Sequence, residues 1–349
     1  MEPILLGSLT IYPFGLAVAL LLIPFFWLTA RNMNHAGLKK ESASWFALLA
    51  VPLCFLLARL GFVLFSVDEM IGNEDPGMIL RVTEGGYLLW GAIAGALLAA
   101  KFSGKITRQS GARISDSMVL PLCLLIAAIR LLSGLLFKDM GIGMGLDYWF
   151  DPEETDMAAR FSLFRPEDYS FFERFPFAVQ DYYDVWCWAV FVLQALWACA
   201  VGLLICRTDA VPGGKTSRFL ILFSCGSIAL ESMLFGGETI RLPMLRVVKG
   251  NLLLCAAVLL AVLIVCLYRI GPEKWKKPAL IFIPQLLAAV GIIIVLEFAS
   301  FEKKVAFIQW MPADVCHLIE ILACAWIALA FRPVWRKAYP ITSARRDDL

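Results

Sequence analysis

Residues 117–137 read SMVLPLCLLIAAIRLLSGLLF. About 20 apolar residues suffice for a helix to cross a bilayer, and this run meets that length while carrying Arg130 inside it. A guanidinium at membrane depth costs roughly 2.5 kcal/mol or more unless it is paired, hydrated or holding an anion. The phosphate of a phospholipid is an anion that lives at that depth. A carboxylate on a neighbouring helix is the other partner that would satisfy the charge. The rest of the chain has to supply one or the other.

Working outward from this run, the 349 residues are 60% hydrophobic with a mean hydropathy of +0.76, which places the chain among polytopic membrane proteins. Apolar periodicity predicts about nine spans, at 11–30, 44–66, 86–101, 117–137, 185–206, 218–235, 250–268, 279–298 and 314–331. The N-terminus has no basic region before its first apolar stretch, so that span is expected to stay in the protein. Basic loops alternate with acidic ones. Lys39 and Lys40, then Lys101 to Arg113, Arg207 to Arg218, Arg269 to Lys277, and the tail from Arg332 share one side. Asp68, Glu69, Glu74, Asp75 and Glu84 lie on the other. The positive-inside rule predicts the N-terminus outside and the C-terminus in the cytoplasm. A net charge of only +2 gives nucleic acid no support as a partner.

Ten cysteines fall almost wholly inside apolar spans with no CxxC pair, and read as small buried hydrophobes. Two histidines, His35 and His317, give no metal-ligand spacing, so no metal and no cofactor is expected. The segment 138–184 is acidic and rich in aromatics, which predicts a cap docked at headgroup level on the outer side. Gly91 and Gly95 form a GxxxG face suited to close helix packing. On the ninth span His317 and Glu320 share a helical face, below Asp314. They are suited to a buried hydrogen-bonded pair or to a proton relay.

Several polar groups gather inside spans or at their outer ends. They are Arg59, Arg130, Glu231, Lys249 and Asn251, with Arg246 just before the seventh span. Cations outnumber the carboxylate, which favours an anionic headgroup over an internal Arg–Glu pair, although composition allows both.

These features run in an order that resembles the prolipoprotein diacylglyceryl transferase family. Tyr12-Pro13-Phe14-Gly15-Leu16 is similar to the family's opening W-Y-G-L. Ala58-Arg59-Leu60-Gly61-Phe62-Val63-Leu64-Phe65 matches A-R-L-G-Y-V-L-F, and the segment from Gly85 and Gly86 through Trp90, Gly91 and Gly95 follows G-G-x-x-x-H-G-G-x-x-G. Asp116 to Arg130 reproduces the spacing from an aspartate to the arginine of G-R-x-G-N-F-x-N-G-E. Gln180 and Tyr182 fall at P-x-Q-L-Y-E, Glu231 at R-F-x-x-E, and Lys249-Gly250-Asn251 at M-G-Q. The resemblance covers about residues 8–268. Departures are Phe14 for a tyrosine, Trp90 for a histidine, Ser133 for an asparagine, Lys138 for a glutamate and Ser227 for the second arginine.

The resemblance implies an all-α, polytopic transmembrane helix bundle with a seven-helix core at 1–270, and the last two apolar runs, outside it, add a C-terminal two-helix hairpin and basic tail at 271–349. It implies transfer of diacylglyceryl from phosphatidylglycerol, or another anionic phospholipid, to the lipobox cysteine of a prelipoprotein signal peptide in the bacterial inner membrane. Arg130 and Glu231 would be catalytic, with Arg59, Gly86, Gly91, Gln180, Tyr182, Arg246, Lys249 and Asn251 binding substrate. The departures keep a second expectation open, a lipid- or partner-binding protein on the same scaffold. A small-solute transporter finds support only in His317, Glu320 and the extra hairpin, without an inverted repeat.

Overall fold

A computed structural model describes residues 4–6, 9–65, 86–137, 174, 177–180, 186–208, 211–234, 239–240, 248–271, 276–302 and 313–340. Among these, nine helices follow the nine expected spans: α1 (Pro13–His35), α2 (Lys40–Phe65), α3 (Leu89–Thr107), α4 (Gly111–Phe137), α5 (Val190–Cys206), α6 (Gly214–Ser232), α7 (Gly250–Ile270), α8 (Lys276–Glu302) and α9 (Ala313–Ala338). Three short antiparallel ribbons were not foreseen: β1 (Ile4–Leu6) with β2 (Leu9–Ile11), β3 (Ala178–Gln180) with β4 (Trp186–Trp188), and β5 (Thr239–Ile240) with β6 (Val248–Lys249). The expected cap at 138–184 lies outside the described residues apart from Arg174 and 177–180.

The chain is a multi-pass membrane protein. Helices α1, α2, α4, α7 and α9 each contain a stretch long and apolar enough to cross a bilayer, and α5 and α8 contain shorter apolar stretches. Their outward faces present large apolar side chains, such as Ile23, Leu48, Leu64 and Leu135, to the surroundings. In lipid that exposure costs nothing. Helix α6 is less apolar for the opposite reason. It packs against α4, α5, α7 and α9, and most of its side chains are buried, so protein rather than lipid selects them.

Glycines set the closest approaches. A Cβ on Gly91 would lie 2.3 Å from the Leu57 carbonyl oxygen, and one on Gly95 would lie 2.5 Å from the Cys54 Cα, both on α2. The GxxxG face of α3 is therefore a packing surface, as its spacing suggests. At the far end of this pair, Ser42, Ser103 and Thr107 bond one another.

A polar contact fixes the register of α4 against α6. Asp116 on α4 accepts from the Gly213 and Thr216 amides at 2.7 and 2.9 Å, and from the Thr216 hydroxyl at 2.7 Å. It thereby satisfies donors that the first turn of α6 leaves without intrahelical partners. Arg130 follows Asp116 by fourteen residues, and Glu231 follows Thr216 by fifteen. Both intervals climb about 21–22 Å along their helices. Tying the starts together brings Arg130 and Glu231 level at the other end.

The last two helices pack on each other, with Phe282 edge-on to Phe331 at 4.7 Å. Helix α9 also packs on α6 and α7. Its end is held by the Trp335 indole, which donates to the Gly214 carbonyl at 3.2 Å.

Candidate active site

Arg130 and Glu231 line one cleft, together with Ile126, Gln194, Trp197, Phe223, Ser227 and Leu230. The cleft is narrow and partly open. Helix α5 is the wedge that shapes it. The Phe191 ring lies on Gly134 of α4, where a Cβ would come within 2.0 Å of the ring. The Trp197 indole lies on Gly226 of α6, where a Cβ would meet its Nε1 at 1.9 Å. Two aromatic-on-glycine contacts thus set the spacing of α4, α5 and α6 around the arginine.

The two charged groups face the same space without forming a salt bridge to each other. Of the two partners expected for the arginine, the internal carboxylate is close by but not engaged. A guanidinium in this position can meet the two oxygens of a phosphate with its planar fork. Glu231 is 9% exposed, at the end of α6.

Two cleft residues were missed from the sequence. Gln194 is the one amide side chain in the apolar run of α5, and that polarity was the available signal. Trp197 had none, because a tryptophan in a span reads as packing. Its buried Nε1 has no hydrogen-bond partner among the described residues.

The remaining candidates fall elsewhere. Arg59 donates to the Gly86 carbonyl at 3.1 Å and lies over the Phe62 and Tyr87 rings at 5.3 and 5.9 Å. Gly86 itself has φ +76°, and a Cβ there would run into Phe62. Arg59 and Gly86 thus buckle the C-terminal end of α2 to the start of α3. Gly91 is used in helix packing, as above. Lys249 was expected to face a headgroup. Its ammonium, 5% exposed, donates to the carbonyls of Glu231, Ser232 and Leu234 at 2.8, 3.3 and 2.8 Å. Those are carbonyls that a helix end leaves unsatisfied, and a cation there also suits the helix dipole. Asn251 opens α7 and is half-buried. Gln180 lies in the β3–β4 ribbon, paired with Trp186. Tyr182 and Arg246 lie outside the described residues.

Positions that depart from the family pattern are also explained in part. Trp90 is 5% exposed and packs edge-on to Phe223 at 5.5 Å. It is a packing residue where the pattern has a histidine. All ten cysteines are free thiols.

Residues 3–270 match the family model described as prolipoprotein diacylglyceryl transferase. A phosphatidylglycerol–prolipoprotein diacylglyceryl transferase of Halalkalibacterium halodurans is 25% identical over 245 residues, 68% of this chain and 77% of that protein. One from Bacillus licheniformis is 24% identical over 263 residues, 73% of this chain and 89% of that protein. A third, from Bacillus velezensis, is 24% identical over 231 residues, 65% and 78% of the two chains.

Proposed function

The chain belongs to the prolipoprotein diacylglyceryl transferase family, and we propose that it transfers diacylglyceryl from phosphatidylglycerol to the lipobox cysteine of a prelipoprotein in the bacterial cytoplasmic membrane. The observation that carries this is a cleft in which Arg130 and Glu231 face the same space without neutralising each other. Arg130 holds the phosphate. The cysteine sulfur forms a bond to the terminal glycerol carbon of the diacylglyceryl group, and the bond from that carbon to the phosphate oxygen breaks. Glycerol phosphate leaves with the charge that Arg130 stabilises. The thiol proton goes to a base, and Glu231 is the carboxylate in the cleft suited to take it. Gln194 is placed to donate to the phosphate or the glycerol headgroup.

Residues 1–270 form the transferase core in this reading, and 271–349 an added hairpin and basic tail. The N-terminus and the cleft face outward, where exported lipoproteins emerge. Arg59, Gly86 and Lys249 support the site by holding helix ends, and the aromatic segment at 138–184 guides the peptide.

The second reading, a lipid- or partner-binding protein without turnover, is favoured by one observation. Trp90 occupies the position of the family's histidine and is committed to packing. The test is a transfer assay with purified protein, phosphatidylglycerol and a lipobox peptide, read by peptide mass. Activity is expected in the wild type and a loss of roughly 100- to 1,000-fold in Arg130→Ala. Full activity in that variant would defeat the assignment. Phosphatidylglycerol binding without any mass gain would select the second reading.

A further inference from the structure

The added helix α9 brings a buried polar cluster to the turn that carries Glu231. The His317 Nδ1 lies 3.0 Å from Glu320 Oε2 and 3.3 Å from the Ser232 hydroxyl oxygen. That hydroxyl already donates to the Ala229 carbonyl at 2.9 Å. Its lone pair is therefore what meets the imidazole, and Nδ1–H is the donor shared between Ser232 and Glu320. His317 is 5% exposed and Glu320 1%. Nε2 of the one and Oε1 of the other are buried without a partner among the described residues.

Such a cluster is a costly way to dock a hairpin. A half-satisfied buried polar network holds less well than apolar side chains of the same volume. Its placement is specific, however. Helix α6 turns one face to the cleft, with Phe223, Ser227, Leu230 and Glu231. It turns another to α9, with Ser232 on His317. The last turn of α6 is thus tied twice, by His317 on the Ser232 side chain and by Lys249 on the carbonyls of Glu231, Ser232 and Leu234. The charged and titratable groups around the cluster are Cys324 on α9, Glu231 and Cys225 on α6, and Lys249 and Cys255 at the start of α7.

We propose that His317 and Glu320 are positioning residues for the transfer reaction, holding Ser232 and with it the Glu231 carboxylate in register with Arg130. The proposal rests on the transferase reading for its effect on turnover. The hairpin is then a working part of the enzyme rather than an appendage.

The double variant His317→Leu/Glu320→Leu removes the polar cluster while filling its space. It is expected to be at least as heat-stable as the wild type. Its kcat is expected to fall about 10- to 100-fold, with KM for phosphatidylglycerol nearly unchanged. His317→Asn, which can return an N–H to the Nδ1 position, is expected to recover part of the loss. Hydrogen exchange at Ser232 to Leu234, read by peptide mass, is expected to speed up in the double variant. Wild-type kcat together with unchanged exchange in the double variant would overturn the proposal. An inactive wild type whose exchange still responds to the double variant would instead overturn the transferase reading and leave the positioning role standing. An inactive wild type whose exchange is also unchanged in the double variant would overturn both.

Discussion

In the proposed reaction Arg130 and Glu231 divide the work of the cleft by charge, and conservative substitutions separate their roles. Arg130→Lys keeps the cation but loses the planar fork that meets two phosphate oxygens. It is expected to retain activity between that of the wild type and that of Arg130→Ala, measured as kcat/KM in the transfer assay. Glu231→Gln keeps shape and hydrogen bonding but cannot take a proton. A fall in kcat of about 100-fold or more is expected if it is the base, with phosphatidylglycerol still retained by the purified protein. A Glu231→Gln enzyme of normal kcat would move the base elsewhere. These two residues were legible in the sequence because an ionised group in an apolar run demands an explanation. Lys249 was legible as a buried cation but not in its use, since the carbonyls it satisfies belong to the backbone of another helix. Trp197 was illegible because its contribution depends on Gly226, in a different span.

At the scale of the helix, the spacing from Asp116 to Arg130 has a mechanical meaning. Asp116 pins the start of α6, and the fixed rise of two helices carries that register about 21 Å to the cleft. The carboxylate accepts three hydrogen bonds there. Asp116→Ala leaves the Gly213 and Thr216 amides unsatisfied, at a cost of about 1–3 kcal/mol for each buried donor. The expected outcome is a lowered unfolding midpoint in detergent, together with reduced turnover at a site the side chain never touches. A variant that lost stability but kept full kcat would show that α6 finds its register without the clamp. Gly91 makes a similar point on α3. Its Cβ would press on α2 backbone, which cannot rotate away as a side chain can. Gly91→Ala is expected to cost about 1–3 kcal/mol by overpacking, read by the same midpoint. The nine helices among the described residues were visible as apolar runs, most of them because lipid selects composition directly. The three short ribbons were not visible, since two or three residues of strand leave no periodicity to read.

At the scale of the molecule, charge and cleft lie at opposite ends. Arg108, Arg113, Arg207, Lys215 and Arg269 sit at the end of the bundle marked by Asp116, and Arg130, Glu231 and His317 at the other. We propose on the positive-inside rule that the cleft faces outward, the side on which the proposed acceptor would present its cysteine. The chain carries its own probe of this orientation. Cys206, at the end of α5 beside Arg207, is the exposed thiol, while Cys54 and Cys199 are half-buried and the other seven are buried. A membrane-impermeant maleimide is expected to label the protein in inside-out vesicles and to spare it in right-side-out ones. Cys206→Ser is expected to abolish the label. Labelling confined to right-side-out vesicles would invert the bundle and put the cleft in the cytoplasm. A cleft facing that way would meet the signal peptide before export, and the acceptor side of the proposed reaction would have to be abandoned even if phosphatidylglycerol still bound at Arg130.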